Sequence, residues 1–261
     1  MKITVIGSLN YDIIFKNSQI NGSPGGGCLN VSFNLTYLKA DYVFITQLGN
    51  DQLAQIIKSQ LTKAKINLLP QQTEKTNLAV GFSDSKTTVY SFYKSEFILP
   101  PLPRLPEIVF LSGIAILNAQ NLHLLRSLAT ETLLIFDCNF RSPLNDFQTD
   151  IMLQILKFVK IIKKSDEDKV GNLDFSGKAV FTTFSDGVEI QFQSRKKRIF
   201  IDEIQQPASV VGAGDAFCSF LLFRLQQDCR LTFENLCEIG SAASEFARQK
   251  VMLPASYFLV Q

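Results

Sequence analysis

The sequence predicts an α/β fold in which helices flank both faces of a central, mostly parallel sheet. Short apolar segments recur along the 261 residues, and stretches long enough for helices separate them. Within each segment the side chains are apolar in succession, as in strands that are buried on both faces. Strands that alternate with helices in this way indicate a parallel sheet covered on both sides. We expect a single domain over residues 1–261.

The predicted elements follow one another in a regular order. Strands are expected over residues 3–6, 42–46, 108–111, 133–136, 159–162 and 179–182. Helices are expected over residues 27–39, 51–64, 118–130 and 146–157.

Two segments, residues 11–24 and 75–95, do not fit this alternation. In the second segment, two β-rich runs flank the polar residues 83–86, which predicts a β-hairpin. Strands inserted beside a ligand cleft commonly act as a lid. We therefore expect a small β lid, with the proline-rich residues 100–106 returning the chain to the main sheet.

Composition excludes several classes of protein. Apolar residues make up 46% and charged residues 19% of the chain, which excludes a disordered protein. A net charge of +2 is too small for a nucleic-acid-binding surface, and we expect the basic residues 195–198 to form a solvated hairpin tip. The five cysteines contain no CxxC pair, so we expect reduced thiols without disulfides or zinc. With no secretory signal and no membrane span in the sequence, a cytoplasmic location is expected.

The most informative motif is the glycine turn at residues 211–217, which precedes an apolar helical run. Glycines at Gly212 and Gly214 let backbone N–H groups approach an anion, and the start of a helix adds a favourable potential for phosphate. Asp215 then lies in the first helical turn, beside a transferring phosphoryl group. An acidic residue at this place also stabilises a helix without any phosphate, so the motif alone leaves both interpretations open.

Two further motifs accompany this turn. Gly25, Gly26 and Gly27 open the first predicted helix, and Asn30 in its first turn offers both a donor and an acceptor to a polyol; a flexible turn before a helix is the alternative. Asp137, Asn139 and Arg141 alternate directly after a predicted buried strand. Ligands of open α/β sheets bind beyond the carboxyl ends of strands, so we expect these side chains to face a cleft, unless they form only a turn with an ion pair.

These motifs, in this order, resemble the PfkB (ribokinase-like) family of sugar and nucleoside kinases. The resemblance spans essentially the whole chain and also includes Gly7-Ser8, Asp12 and Gly49-Asn50-Asp51. It implies a ribokinase-like fold and transfer of the γ-phosphate of ATP to a hydroxyl of a small sugar or sugar acid, with Mg²⁺ bridging the ATP oxygens. It also implies a lid that pairs two copies in some relatives, so we expect a homodimer through the lid.

The resemblance assigns a role to each candidate residue. Asp215 is the general base, and the backbone at Gly212, Ala213 and Gly214 is an anion hole. Arg141 lies toward the phosphates or the acidic end of the substrate. The acceptor side is assigned to Asp12, Gly26, Gly27, Asn30 and Asn139.

Three positions depart from the family pattern. An Asn-x-x-Glu becomes residues 165–168, where Asp168 keeps the carboxylate that organises Mg²⁺ through water and Glu167 competes for that role. A Thr-x-Gly-x-x-Gly at the nucleotide runs here from Thr182 to Gly187, with Phe184 replacing a glycine. An Asp-Thr-Thr becomes residues 209–211, which weakens the case for activation by a monovalent cation.

The departures keep two alternatives open. One is a catalytically weak relative that binds a sugar or nucleotide, and the other is a nucleoside kinase. Residues 92–94 and the Asp-x-Asn-x-Arg motif look most like the fructokinase and ketodeoxygluconate kinase branches, which favours a sugar or sugar acid as the acceptor.

Overall fold

The computed structural model describes residues 1–16, 19–83, 88–99, 102, 106–128, 131–202, 204–255 and 257. Its strands are β1 (Ile3–Ile6), β2 (Asn10–Lys16), β3 (Gln19–Gly25), β4 (Tyr42–Leu48), β5 (Leu68–Gln72), β6 (Leu78–Ser83), β7 (Thr88–Tyr93), β8 (Ile108–Ser112), β9 (Leu133–Asp137), β10 (Ile161–Ser165), β11 (Ala179–Phe184), β12 (Gly187–Phe192) and β13 (Arg195–Phe200). Its α-helices are α1 (Gly27–Tyr37), α2 (Gln52–Lys63), α3 (Ala119–Leu128), α4 (Asp146–Leu156), α5 (Ala213–Gln227) and α6 (Phe233–Val251).

The main sheet has nine strands in the order β13-β12-β11-β10-β9-β8-β1-β4-β5. The seven strands from β11 to β5 are parallel, while β12 and β13 extend one edge as antiparallel strands. Apolar side chains from α1, α2, α5 and α6 fill the core on one face, and those of α3 and α4 fill the core on the other. The predicted α/β class is confirmed.

The core strands form because their side chains are apolar in succession and are buried on both faces of the sheet. All four residues of β1 and all five of β8 are buried.

In the described part of the chain, no helix is both long and apolar enough to cross a membrane.

The structure changes the ends of several predicted strands and adds the edge strand β5. β4 continues to Leu48, and β10 begins at Ile161, two residues later than expected. β5 was not predicted, because this edge strand pairs only with β4 and is largely solvent-accessible, so it lacks a buried apolar run.

The basic residues 195–198 were expected to form a solvated hairpin tip. The structure instead places them within β13. They pair in register with residues 189–192 of β12. Lys196 and Arg195 are anchored by Glu189 and Glu234, so partners on neighbouring elements hold these charges along the strand.

A small sheet of four strands, in the order β3-β2-β6-β7, stands apart from the main sheet. Its two hairpins come from the two segments that did not fit the alternation, and they join through parallel pairing of β2 with β6. Residues 84–87, which follow β6 in the sequence, and most of the proline-rich residues 100–106 lie outside the described residues.

The two faces of the small sheet differ. Asp12, Ala79 and Phe92 are in register on one face. Phe15 stacks on Phe82 on the other face, with ring centroids 5.0 Å apart. Cross-strand neighbours in register share a face, so the small sheet has one face that carries a carboxylate and an opposite face that carries the stacked rings of Phe15 and Phe82.

Asn77 ties together the strands that enter and leave the small sheet. Its carbonyl accepts the Tyr11 N–H at 2.8 Å, its side-chain amide donates to the Leu9 carbonyl, and its side-chain oxygen accepts the Ser95 N–H at 2.8 Å. The preceding residue, Thr76, donates both its N–H and its hydroxyl to Asp51, the N-cap of α2. The Gly49-Asn50-Asp51 motif therefore anchors the root of the small sheet to the main domain.

Candidate active site

The N-termini of α1 and α5 meet at the carboxyl edge of the main sheet. α1 begins at Gly27, and α5 begins at Ala213 after an N-cap at Gly212, whose φ of 83° favours glycine. The Asn30 side-chain amide donates to Asp215 Oδ2 at 2.8 Å, so the first turn of one helix is bound to the first turn of the other. The structure thus brings together Asn30 and Asp215, which lie 185 residues apart in sequence.

Asp215 is partly exposed, and its carboxylate fits closely against α1. A Cβ added at Gly27 would lie 3.0 Å from Asp215 Oδ1 and 3.7 Å from the Asn139 side-chain nitrogen. Gly27 is therefore needed for this close approach, and Asn139 belongs to the same cluster. Asn139 itself has a φ of 44°, a left-handed conformation that is uncommon for residues other than glycine and is enriched at functional sites.

Burial raises the pKa of Asp215 to about 6. The Asn30 hydrogen bond opposes this rise, the negative charge of Asp137 adds to it, and the positive charges of Lys163 and Arg141 oppose it. The carboxylate is therefore ionised at neutral pH and is also a stronger base than an exposed aspartate, which suits a general base.

Asp137 does not face a cleft, as the sequence led us to expect, but points into the protein. It forms an ion pair with Lys163 at 3.1 Å, in which the two side chains are 2% and 5% exposed, and it accepts a hydrogen bond from the Ser112 hydroxyl at 3.1 Å. Burial alone would lower the pKa of Lys163, but attraction to Asp137 outweighs burial and raises it. A Cβ on Gly214 would lie 2.9 Å from Lys163 Nζ, so this ammonium lies directly beneath the first turn of α5.

Arg141 lies at the exposed rim of the site. Its guanidinium forms an ion pair with Glu167 at 3.2 Å, and both side chains are mostly exposed. Its charge still acts on Asp215. The structure thus supports the ion-pair interpretation of this turn and leaves the guanidinium near the site.

One of the three backbone N–H groups of the expected anion hole already has a partner. The Ala213 N–H donates to the Val210 carbonyl at 3.2 Å. The first N–H groups of a helix have no acceptors within it, so Gly214 and Asp215 are the residues whose N–H groups best suit an incoming anion.

The expected acceptor side lies on the small sheet and at its junction with α1. Asp12 fills the space beside Gly25, where a Cβ would lie 1.9 Å from Oδ2, and Gly26 approaches the Ser8 carbonyl with a φ of 117°. Burial raises the pKa of Asp12 to about 6, and the positive charge of Lys94 opposes this rise. Asp12 Oδ1 is buried and has no protein partner.

Aromatic rings continue this face of the small sheet. Tyr90 and Phe92 stack with their centroids 5.9 Å apart, and Lys94 Nζ lies 4.3 Å from the centre of the Phe92 ring. The face therefore combines a carboxylate, a cation and two aromatic rings, which are groups that bind a polar molecule with flat apolar surfaces.

Asp168 closes a tight turn. Its Oδ2 accepts the Ser165 N–H at 2.7 Å, while Oδ1 is buried without a partner. Among the described residues, no cluster of three or more His, Cys, Asp or Glu side chains could hold a metal ion by itself. The unpartnered oxygen suits a contact through water to a metal that a ligand brings with it, and Glu167 is already paired with Arg141.

At the expected nucleotide motif, Gly187 is required by the sheet itself. A Cβ there would lie 2.0 Å from the Ile199 carbonyl oxygen. The ring of Phe184 is covered by the Arg198 guanidinium, whose central carbon lies 3.4 Å from the ring centre. Thr182 is buried and lines a cavity of about 270 Å³ with Val180 and Glu189, and none of the other predicted site residues lines it.

Sequence reasoning missed Lys163 and Ser112, although a signal was present for Lys163. Two lysines directly follow the apolar residues 161 and 162, and a charge at the carboxyl end of a buried parallel strand is a candidate site residue. Ser112 gave no comparable signal, because a serine at the end of a strand is common in turns.

Comparison with known proteins identifies a family. The model of the pfkB family carbohydrate kinase matches residues 1–170. Among curated proteins, a sequence search found no match.

Several solved structures share the fold. Aminoimidazole riboside kinase from Salmonella enterica, solved with aminoimidazole riboside and an ATP analog, has a TM-score of 0.80 at 18% identity, covering 98% of this chain and 95% of that one. Fructokinase from Xylella fastidiosa, solved with bound ATP, has a TM-score of 0.80 at 17% identity over 98% and 93%. Ribokinase from Thermotoga maritima has a TM-score of 0.78 at 17% identity over 97% and 94%.

Proposed function

Because the chain belongs to the pfkB family of carbohydrate kinases, we propose that it transfers the γ-phosphate of ATP to a hydroxyl of a small sugar or sugar acid. The observation that carries this proposal is the Asp215 carboxylate, which lies at the N-terminus of α5, is bound by Asn30 and has a raised pKa. Phosphoryl transfer requires mainly positioning, charge stabilisation and one base aimed at the attacking hydroxyl.

In the proposed mechanism, Asp215 accepts the proton of the acceptor hydroxyl as the oxygen attacks the γ-phosphorus in line and the bond from that phosphorus to the bridging oxygen breaks, which releases ADP. The N–H groups of Gly214 and Asp215, with the positive end of the α5 dipole, stabilise the charge on the moving phosphoryl group. Lys163 adds a buried positive charge beneath this turn, and Arg141 supplies an exposed one at the rim.

The small sheet acts as the lid in this proposal. Asp12 Oδ1, buried without a protein partner, accepts a hydrogen bond from a hydroxyl group of the sugar or sugar acid. Lys94 gives the same face a cation, which suits an acidic acceptor, while the rings of Tyr90 and Phe92 pack against the apolar face of a sugar. The exposed side chains of Phe82, Val89 and Tyr93 lie on the opposite face, and we assign this face to contact with a second copy of the chain.

Mg²⁺ fits the site as an ion that enters with the nucleotide. Asp168 Oδ1 would hold one of its waters, and the ion would neutralise charge on the phosphate oxygens when bound. We place this function in the cytoplasm, where ATP–Mg²⁺ is abundant.

A nucleoside kinase is the second candidate, and the stacked pair of Tyr90 and Phe92 favours it, because paired rings offer a surface for a base. The contact of Arg198 with Phe184 favours the alternative of a binding protein with weak activity, because it occupies the nucleotide motif.

The test is release of ADP from ATP and Mg²⁺ across a panel of sugars, sugar acids and nucleosides. We expect turnover with a sugar or sugar acid, a loss of at least about 10³-fold in kcat for Asp215→Asn, and no loss for Asp150→Asn, a matched change on the exposed side of α4. Turnover only with nucleosides would support the second candidate. If none of the acceptors supports turnover, while ATP still raises the melting temperature, the result would support the binding protein.

A further inference from the structure

Lys250 lies in the last turn of α6 and exposes none of its surface. Its ammonium donates to the carbonyl oxygen of Ser209 at 3.1 Å and to that of Val211. In the described part of the chain, it forms no ion pair. A fully buried lysine whose hydrogen bonds go to backbone carbonyls is unusual, because transfer of an ammonium from water costs free energy that such bonds only partly offset.

The same end of α6 also binds backbone N–H groups near Ser209. The Val251 carbonyl accepts the N–H groups of Ala208 at 2.8 Å and Ser209 at 3.2 Å. Residues 208–211, which we call the clamped segment, are therefore fixed to α6 through both their N–H and their C=O groups.

The clamped segment leads directly into the proposed anion site. Val211 precedes the Gly212 N-cap, and the Val210 carbonyl accepts the Ala213 N–H at the start of α5. The direction in which the next N–H groups point therefore depends on the position of residues 209–211. The ammonium also offsets the negative ends of two carbonyl dipoles close to the place where a phosphate would bind.

Stability alone does not explain a lysine here. Burial lowers the pKa of Lys250 to about 8, even though the negative charge of Asp215 opposes this change. The charged form is therefore less stable here than in water, and a methionine of similar length would fill the space without that cost.

We propose that Lys250 is a positioning residue of the anion site. Its ammonium serves as a tethered monovalent cation that binds the carbonyls of residues 209 and 211 and so directs the first turn of α5 toward the transferred phosphate. This inference rests on the proposed kinase function for its effect on turnover, but the clamp itself is a property of the folded chain.

The kinetic test uses two variants and one matched control. Lys250→Met keeps the apolar volume and removes the charge, and we expect kcat to fall by about 10²-fold with an unchanged KM for the acceptor. Lys250→Ala leaves a space for small cations. We expect millimolar propylammonium or potassium to raise the kcat of this variant at least about tenfold. Lys58→Met, on an exposed position of α2, should behave as the parent protein does.

Tetramethylammonium, which donates no hydrogen bond, serves as the control for ionic strength and should not restore the rate. Retention of kcat within threefold in Lys250→Met would overturn the proposal. Equal recovery of Lys250→Ala with tetramethylammonium would overturn it as well.

A second measurement does not depend on turnover. Hydrogen exchange of the amides of residues 208–216 should be at least about tenfold faster in Lys250→Met than in the parent protein, while exchange in β8 and β9 stays unchanged. Unchanged exchange at residues 208–216 would overturn the clamp. If the parent protein phosphorylates no acceptor, the proposed function fails, and exchange alone then decides the proposal.

Discussion

The ion pair of Lys163 with Asp137 offers a quantitative test of how the buried layer supports the site. Its Nζ and Oδ1 atoms are 3.1 Å apart, and both side chains are at most 5% exposed. Removing one partner of a buried ion pair typically costs about 3–5 kcal/mol, because the other charge is left uncompensated. We expect Lys163→Met to lower the free energy of unfolding by about 4 kcal/mol.

The complementary changes define a double-mutant cycle. Asp137→Asn keeps a side-chain oxygen that accepts from the Ser112 hydroxyl and from the Lys163 ammonium, so we expect a smaller cost of about 2–3 kcal/mol with Lys163 still charged. The double variant leaves no unpaired charge and should cost no more than Lys163→Met alone, which gives a coupling of about 2–3 kcal/mol. Urea denaturation at pH 7 measures all four proteins. If the cost of the double variant equals the sum of the two single costs to within about 0.5 kcal/mol, the idea that these charges depend on one another is refuted.

The same variants have opposite effects on Asp215. Lys163 holds the pKa of Asp215 down and Asp137 raises it. The acid limb of the kcat profile should therefore move to higher pH in Lys163→Met and to lower pH in Asp137→Asn. Shifts in the same direction would show that the variants perturb the structure generally and do not report on these two charges.

Three further predictions concern the site itself. Because a general base must be ionised, kcat should fall as the pH decreases through about 6, the pKa of Asp215; a rate that is level down to pH 4.5 would exclude Asp215 as the base. The rise of this pKa from 3.8 to about 6 corresponds to about 3 kcal/mol against the charged form at 1.36 kcal/mol for each tenfold change in proton affinity, which partial exposure reduces to about 1–2 kcal/mol. Asp215→Asn should therefore raise the unfolding free energy by about that amount at pH 8, where the parent carboxylate is charged, and by a smaller amount at pH 4.5, because the gain disappears only below the unfolded pKa of 3.8. Gly27→Ala adds a Cβ 3.0 Å from Asp215 Oδ1, so we expect kcat to fall by about 10–100-fold with a change in unfolding free energy below about 1 kcal/mol, and an unchanged kcat would show that the carboxylate can move freely.

The fold was predictable because its main signals are local. Runs of apolar residues such as residues 108–111 are buried on both faces of the sheet wherever they lie along the chain, and the glycine turns at Gly26 and Gly212 mark helix starts directly. β5 was not predictable in this way, because an edge strand needs no apolar face.

The site was predictable only in part, because some of its residues act through partners distant in sequence. Asn30 and Asp215 were identified from motifs, and the structure shows their hydrogen bond. Asp137 was expected to face a cleft, but a buried lysine 26 residues away turns it inward. Lys250 is on the buried face of α6, four residues after Phe246, so helical spacing marks its position, yet its carbonyl partners become apparent only in three dimensions.

The connection at Asn77 determines how the small sheet can move relative to the main domain. Because this one residue bonds to Leu9, Tyr11 and Ser95, it links chain segments that enter and leave the small sheet, and we expect the four strands to turn together about it. β6 starts at the next residue and spans six residues, a lever arm of about 20 Å at 3.3 Å per residue. A rotation of about 20° at the pivot would displace the far end of the sheet by about 7 Å, roughly the width of a sugar ring. If the small sheet is the lid that we propose, small dihedral changes at its root would be enough to cover or uncover the acceptor side.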